Sequence, residues 1–160
     1  LGDTIQFTSR YPFRIRVTGR TNQFINSFGE EVIEDNVNKA FNAACLSTKS
    51  ALKEYTGAPI YMQGNQTGGH EWLVEFEKEP ENLTYFIQKF DEELKKRNSD
   101  YEAKRVNDLI MRAPVIRILP KGTFYEWLKS KGKLGGQNKV PRLANNRELI
   151  DELNSFICVY

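Results

Sequence analysis

The chain has 160 residues, 39% of them hydrophobic and 12% aromatic, with a formal net charge of +2, and this composition excludes a disordered tail because apolar side chains run through its whole length. No stretch approaches the ~20 apolar residues of a membrane helix, and Asp3, Arg10, Arg14, Arg16 and Arg20 break up the first 20 positions in a way no signal peptide does. One main domain in the cytoplasm is the expectation. The two cysteines, Cys45 and Cys158, have no metal or redox spacing and read as small thiols, so no metal site is expected. The small net charge hides a division. Residues 94–142 carry 13 Lys or Arg against 4 Asp or Glu, while residues 1–93 carry 9 against 14, which points to a local anion site more than to a general field.

The chain begins Leu1-Gly2-Asp3 with no initiating Met and runs directly into strand composition at residues 4–8, so it is read as cut from something longer. Phe13-Arg14-Ile15-Arg16-Val17 alternates apolar and basic side chains, and with the first run it predicts a hairpin. Gly19 to Asn22 ends it. A short apolar run, Phe24-Ile25-Asn26, leads to Ser27-Phe28-Gly29-Glu30-Glu31, where Gly29 supplies a tight turn. From Asp35, read as a cap, the spacing of Val37, Ala40, Phe41, Ala44 and Cys45 predicts a helix to about Ser50.

Residues 59–63 and 71–76 predict an antiparallel strand pair around a loop from Gly64 to Gly69, with Glu71, Glu75, Glu77, Glu79 and Glu81 read as a solvated face and its loop. Leu83, Phe86, Ile87, Phe90 and Leu94 have helical spacing. Ser99, Thr123 and Asn145 each precede an acid by three residues and predict three further helix starts, and residues 115–119 predict a strand closed by Pro120-Lys121-Gly122. The order gives an α+β fold, a small mostly antiparallel sheet with packed helices.

Lys131-Gly-Lys-Leu-Gly-Gly-Gln-Asn-Lys-Val-Pro-Arg142 is the most informative segment: three glycines, Lys131, Lys133, Lys139 and Arg142, and no acid. Glycines let backbone approach a ligand closely, and lysines suit phosphate or carboxylate charge. Composition alone favours a solvated basic loop. Asp3 and Arg20 bracket the hairpin with polar groups that could flank a sugar, although Gly-Asp is a common turn pair. His70, the only histidine, reads as the opening of a strand. Arg97, Lys104, Arg105 and Arg112 near Tyr101 could form a nucleic-acid patch, but no recognised motif accompanies them and a helix surface is the better reading. A nucleic-acid or acidic-partner binding module built on residues 94–142 is the alternative function.

Taken together, Gly2-Asp3, Phe13 to Arg20 and the Phe24 to Glu31 run resemble the stretch that joins the two domains of adenylate-forming enzymes. Gly122-Thr123-Phe124 followed by Gln137-Asn138-Lys139-Val140-Pro141-Arg142 narrows the resemblance to the auxin-responsive acyl-acid amido synthetases, and to bacterial members more than plant ones. Asn138 departs from the aromatic common at its position, and Asn22 from the Asp or Lys common at the hinge. The resemblance implies that residues 1–21 are the hairpin and hinge at the end of an N-terminal adenylation domain missing from this chain, and that residues 22–160 are the mobile C-terminal domain. It further implies Lys139 as catalytic, Asp3 and Arg20 at the nucleotide, Thr21 and Asn22 as the hinge, and Gly29 and Glu30 in the loop used for the second half-reaction. On the same resemblance, ATP and Mg²⁺ are expected to serve the full-length enzyme, with an acyl acid and an amino acid as its substrates, neither membrane nor nucleic acid as a partner, and the chain alone inactive.

Overall fold

The computed structural model describes residues 3–20, 23–135 and 139–157, with side chains placed at 5–16, 23–135 and 139–157. Its centre is a three-stranded sheet, β5 (Ala51–Ile60), β6 (Gly69–Lys78) and β7 (Val115–Leu119) in that spatial order. β5 pairs antiparallel with β6, and β6 pairs parallel with β7. Two two-stranded antiparallel ladders complete the strands: β1 (Asp3–Arg10) with β2 (Phe13–Arg20), and β3 (Phe24–Ile25) with β4 (Val32–Ile33). With five α-helices packed around these small sheets, the α+β reading holds.

β6 is the middle strand, and its alternation sorts the core into two layers. Trp72, Val74 and Phe76 face α1 (Glu34–Thr48) and α2 (Leu83–Arg97), where Phe41 stacks on Phe90 with ring centroids 4.1 Å apart. Leu73 faces the other way, onto Phe124 and Trp127 of α4 (Thr123–Ser130) and Ile150 and Leu153 of α5 (Glu148–Ile157). Gly57 of β5 lies under the Trp72 indole, and a Cβ there would stand 2.3 Å from the Trp72 ring. Gly57→Ala should therefore cost about 1–3 kcal/mol, the usual scale of overpacking, read as a lowered urea midpoint with unchanged slope.

Four expectations change. Glu71 and Glu75 are buried, not part of a solvated face, because a strand covered by helices on both sides has no solvent face; only Glu77 and the acids beyond it reach water. β5 begins at Ala51, well before the predicted start at 59, since Lys53, Glu54 and Gly57 are poor strand formers and pairing with β6 makes the strand. Helix starts fall within about two residues of those expected but with other caps: α1 starts at Glu34 after Ile33, with Asp35 inside its first turn. Asn98, not Ser99, accepts from Tyr101 N at the start of α3 (Ser99–Lys104); Glu148 N donates to Asn146; and Asn145 Oδ1 accepts from Asn26 N, 2.7 Å away.

Arg105 is buried too, where a surface cation was expected. Its guanidinium donates through Nε and a terminal nitrogen to both oxygens of Asp91, at 3.0 and 2.9 Å, and Tyr101 Oη donates to the same carboxylate at 2.7 Å. The pair ties α3 and the following 3-10 turn (Val106–Asp108) to α2. No helix among the described residues is long and apolar enough to cross a membrane.

Candidate functional site

Downstream of α4 the chain returns to the sheet at residues 140–144 and is fastened along the free edge of β5. Val140 is buried in the second core layer, Thr56 Oγ1 donates to Pro141 O at 2.7 Å, Gly57 N donates to Arg142 O at 2.9 Å, and Ala144 N donates to Gly57 O at 3.1 Å. Arg142 fixes the segment sideways, donating to Glu34 at 2.9 Å, Asn38 at 3.2 Å and Glu54 at 3.2 Å with its guanidinium over the Tyr55 ring. It is an anchor, not one of the loop's available cations. Lys131 is engaged as well, 2.5 Å from Glu152. Lys133 and Lys139 are exposed and have no ion-pair partner among the described residues, but their settings differ. Lys133 lies within the exposed run 131–135, between Gly132 and Gly135 at positive φ, whereas Lys139 immediately precedes the fastened Val140.

The Gly29 turn is built from inside by Glu30. Its carboxylate is fully buried, accepts from Ser27 N at 3.2 Å and Phe28 N at 2.6 Å, and lies 2.8 Å from Nε2 of His70, itself fully buried. Burial pushes the Glu30 carboxyl up, but the hydrogen bond and charge of His70, together with the backbone amides, hold it below its ordinary value. Asn98 Nδ2 donates to the carbonyls of Glu30 and Glu31 at 2.8 and 3.1 Å, closing the loop from α3. Phe28 covers Gly68, where a Cβ would stand 2.2 Å from the ring. Gly29, at φ +82°, and Glu31 are what the loop presents outward, while Glu30 acts on its shape. The turn and the 140–145 segment are joined, since Asn26 N donates to Asn145 and Glu34 binds Arg142.

Gly122-Thr123-Phe124 has a local structural explanation. Gly122, at φ +88°, opens α4, and its N–H and that of Phe124 donate to the two oxygens of Glu75 at 2.7 and 3.3 Å. Glu75 thus caps the helix from the neighbouring strand, with Lys53 2.7 Å from the same carboxylate. Thr123 Oγ1 donates to Pro120 O at 2.7 Å.

In the hairpin, the ladder sets Asp3 opposite Arg20, so the backbone brings the two together. Their side chains, the hinge residues Thr21 and Asn22, and Gln137 and Asn138 lie outside the described residues. Ile5, Phe7, Phe13 and Ile15 of the hairpin are more than half exposed, and Arg16 pairs with Asp35 at the start of α1. Much of the basic segment is bound internally: Lys95 and Arg105 to Asp91, Lys96 and Arg97 to Glu93, Arg117 to Glu71, Lys129 to Glu126. That leaves little of the uniform basic surface a nucleic-acid site needs. No group of three His, Cys, Asp or Glu among the described residues is placed to hold a metal ion.

Residues 35–148 match the model of the GH3 family C-terminal domain. No curated protein matches the sequence. Among solved structures, a GH3.15 acyl acid amido synthetase superposes with a TM-score of 0.77 at 21% identity, over 97% of this chain and 29% of that one. A second, AtGH3.15 acyl acid amido synthetase in complex with 2,4-DB, gives 0.74 at 19% identity over the same shares, 97% and 29%. At such identities the likeness is one of fold, and the chain spans less than a third of the length of those proteins.

Proposed function

The chain belongs to the GH3 family, as its C-terminal domain, and from that premise we propose that it is the mobile part of an ATP-dependent ligase that adenylates an acyl acid and transfers the acyl group to an amine, usually that of an amino acid. In the first half-reaction a carboxylate oxygen bonds to the α-phosphorus of ATP and the bond to pyrophosphate breaks. In the second, the amine nitrogen attacks the acyl carbon, AMP leaves with the electron pair of the C–O bond, and the amine gives up a proton. Negative charge grows on the phosphoryl oxygens and on the leaving group during the first step, so a cation fixed at that place stabilises the transition state more than the ground state.

The observation that carries this reading is the setting of Lys139: exposed, without an ion-pair partner, and attached to a backbone held to β5 by hydrogen bonds and by Arg142. A lysine that leads straight into a segment fastened to the sheet is a positioned donor, whereas Lys133, whose N–H donates to Leu128 O at 2.9 Å, is fixed to the end of α4 and not to the sheet. In this reading rotation at Thr21 and Asn22 brings Lys139 to the site for adenylation and the Gly29 loop for transfer. Residues 1–21 close against the N-terminal adenylation domain, which would cover Ile5, Phe7, Phe13 and Ile15, and Asp3 and Arg20 meet the nucleotide there. Mg²⁺ would travel on the ATP phosphates, with ligands supplied by the larger domain.

The test is ATP–pyrophosphate exchange by the full-length protein against a panel of aryl and alkyl carboxylic acids. Exchange that depends on an added acid supports the reading. Its absence with every acid contradicts it.

A further inference from the structure

At the end of the sheet where β5 stops and β6 and β7 begin lies an open cleft of about 290 Å³ with Arg112, Arg117 and Arg147 in its lining. It connects to the Gly29 loop through two relays. Tyr61, on its wall, donates to Asn145 O at 2.6 Å while Asn145 receives Asn26 N, and Gly68, beneath Phe28, carries the backbone pairing to Arg112.

The three arginines do not do the same thing. Arg147 is occupied, donating to Pro59 O at 2.9 Å, to Glu71 at 2.7 Å and to Asp151 at 3.0 Å. Arg117 sits at the mouth, its side chain 60% exposed, with only Nε near Glu71. Arg112 lies down against Gly69, where a Cβ would be 3.1 Å from its Cγ. It has no ion-pair partner among the described residues, and its Nε is buried without a hydrogen-bond acceptor. A buried guanidinium nitrogen left without an acceptor is costly unless something enters to accept from it. The lining holds three arginines and one carboxylate, Glu71, while the exposed Asp151 meets Arg147 from outside it, so the cleft keeps a positive surplus. That surplus suits an anion, and a planar guanidinium pair suits a carboxylate's two oxygens.

We infer that Arg112 and Arg117 receive the carboxylate of the amino acid that accepts the acyl group, held in a cleft connected to the loop that the second half-reaction brings forward. This rests on the proposed ligase reading and adds to it the residues that hold the acceptor's carboxylate. Gln63 and Gln66, on the same wall, supply amide groups for the acceptor's remaining polar atoms. Arg112 and Arg117 are positioning groups here, and bond making happens elsewhere.

Transfer is measured on the full-length protein with the best of the standard amino acids as acceptor, and with that amino acid's α-carboxamide, which has the same shape without the charge. The wild-type protein should prefer the carboxylate form at least tenfold in kcat/KM, and Arg112→Gln and Arg117→Gln should each bring the two acceptors within about threefold, mainly through KM for the acceptor. Arg117→Gln removes a group at the mouth of the cleft and guards against loss of fold in the other variant. Equal use of both acceptors by the wild type, or an undiminished preference in both variants, overturns the inference. Failure of acid-dependent pyrophosphate exchange, measured without any amino acid, would instead count against the ligase reading itself.

Discussion

Replacing Lys139 with alanine in the full-length protein is expected to slow acyl-adenylate formation by ~10² or more, the loss that follows removal of one preorganised transition-state donor. The effect should be specific to position. Lys133, two residues from Lys131 in the same glycine-rich stretch, carries the same charge, but its backbone is held to Leu128 at the end of α4 and not to the sheet, and Lys131 is already engaged with Glu152. On the proposed mechanism Lys133→Ala and Lys131→Ala should each change adenylation by less than about threefold, since exposed charge on a solvated loop contributes little. Arg142→Ala should slow adenylation as well, through the loss of the anchor that places Lys139. Unlike Lys139→Ala, it should also lower stability, because Glu34 and Glu54 lose their shared partner.

Asp91→Ala should lower the stability of the domain by about 3–5 kcal/mol, the cost of leaving a buried charge without its partner. That is a large share of the roughly 5–15 kcal/mol a domain has in total. Arg105, with a side chain 5% exposed, would keep its charge, lose both oxygens of Asp91 and be left with the exposed Asp108 and the Met111 carbonyl, and Tyr101 would lose its acceptor. The matched double replacement Asp91→Leu with Arg105→Met should be markedly less damaging than the single change, since it buries no lone charge. Urea unfolding of the three proteins checks this.

The same interactions set the acid limit. Burial pushes the carboxyls of Asp91, Glu30 and Glu75 up, yet hydrogen bonds from Arg105, His70 and Lys53 hold each below its ordinary value. A carboxylate whose pKa is depressed by folding contributes stability that is present above its unfolded value and lost as pH falls through the folded one. Stability from these three groups should therefore hold at neutral pH and begin to fall as pH drops past the ordinary values of 4.5 and 3.8. In Asp91→Ala that acid slope should be shallower.

Most of the fold was legible because strong periodicity reports burial directly. The i, i+3, i+4 spacing from Leu83 to Leu94 found α2, and alternation at Trp72, Val74 and Phe76 found one face of β6. The opposite face misled, because Glu71 and Glu75 are charged and a charged alternation is read as solvent-facing. Only the tertiary structure supplies the partners that let them be buried: Arg117 and Arg147 for one, Lys53 and the start of α4 for the other. The two-residue strands β3 and β4 give too short a pattern to separate from loop.

For the candidate site, the segment from Lys131 to Arg142 was visible as charge and glycine without acid, but the difference between its cations was not. Which lysine has a fixed base depends on contacts with Thr56 and Gly57, more than 80 residues away in sequence. Glu30 was singled out with Gly29 for a role in the second half-reaction, and the structure puts its carboxylate inward, against His70. The lone histidine gave no sign of this pairing, since one His next to a strand most often means only a buried ring. The arginine cleft was not legible: Arg112 reads from sequence as part of a helix surface, Arg147 lies outside the basic segment 94–142, and the three meet only through the sheet.

The most direct measurement is pyrophosphate exchange and single-turnover aminolysis run side by side on full-length Lys139→Ala, the second starting from supplied acyl-adenylate. If this domain brings Lys139 in for adenylation and then rotates it away, exchange falls by ~10² or more while aminolysis keeps the wild-type rate. Equal loss in both would mean that Lys139 holds structure or serves both steps, and unchanged exchange would return the loop to a solvated basic surface and contradict the account.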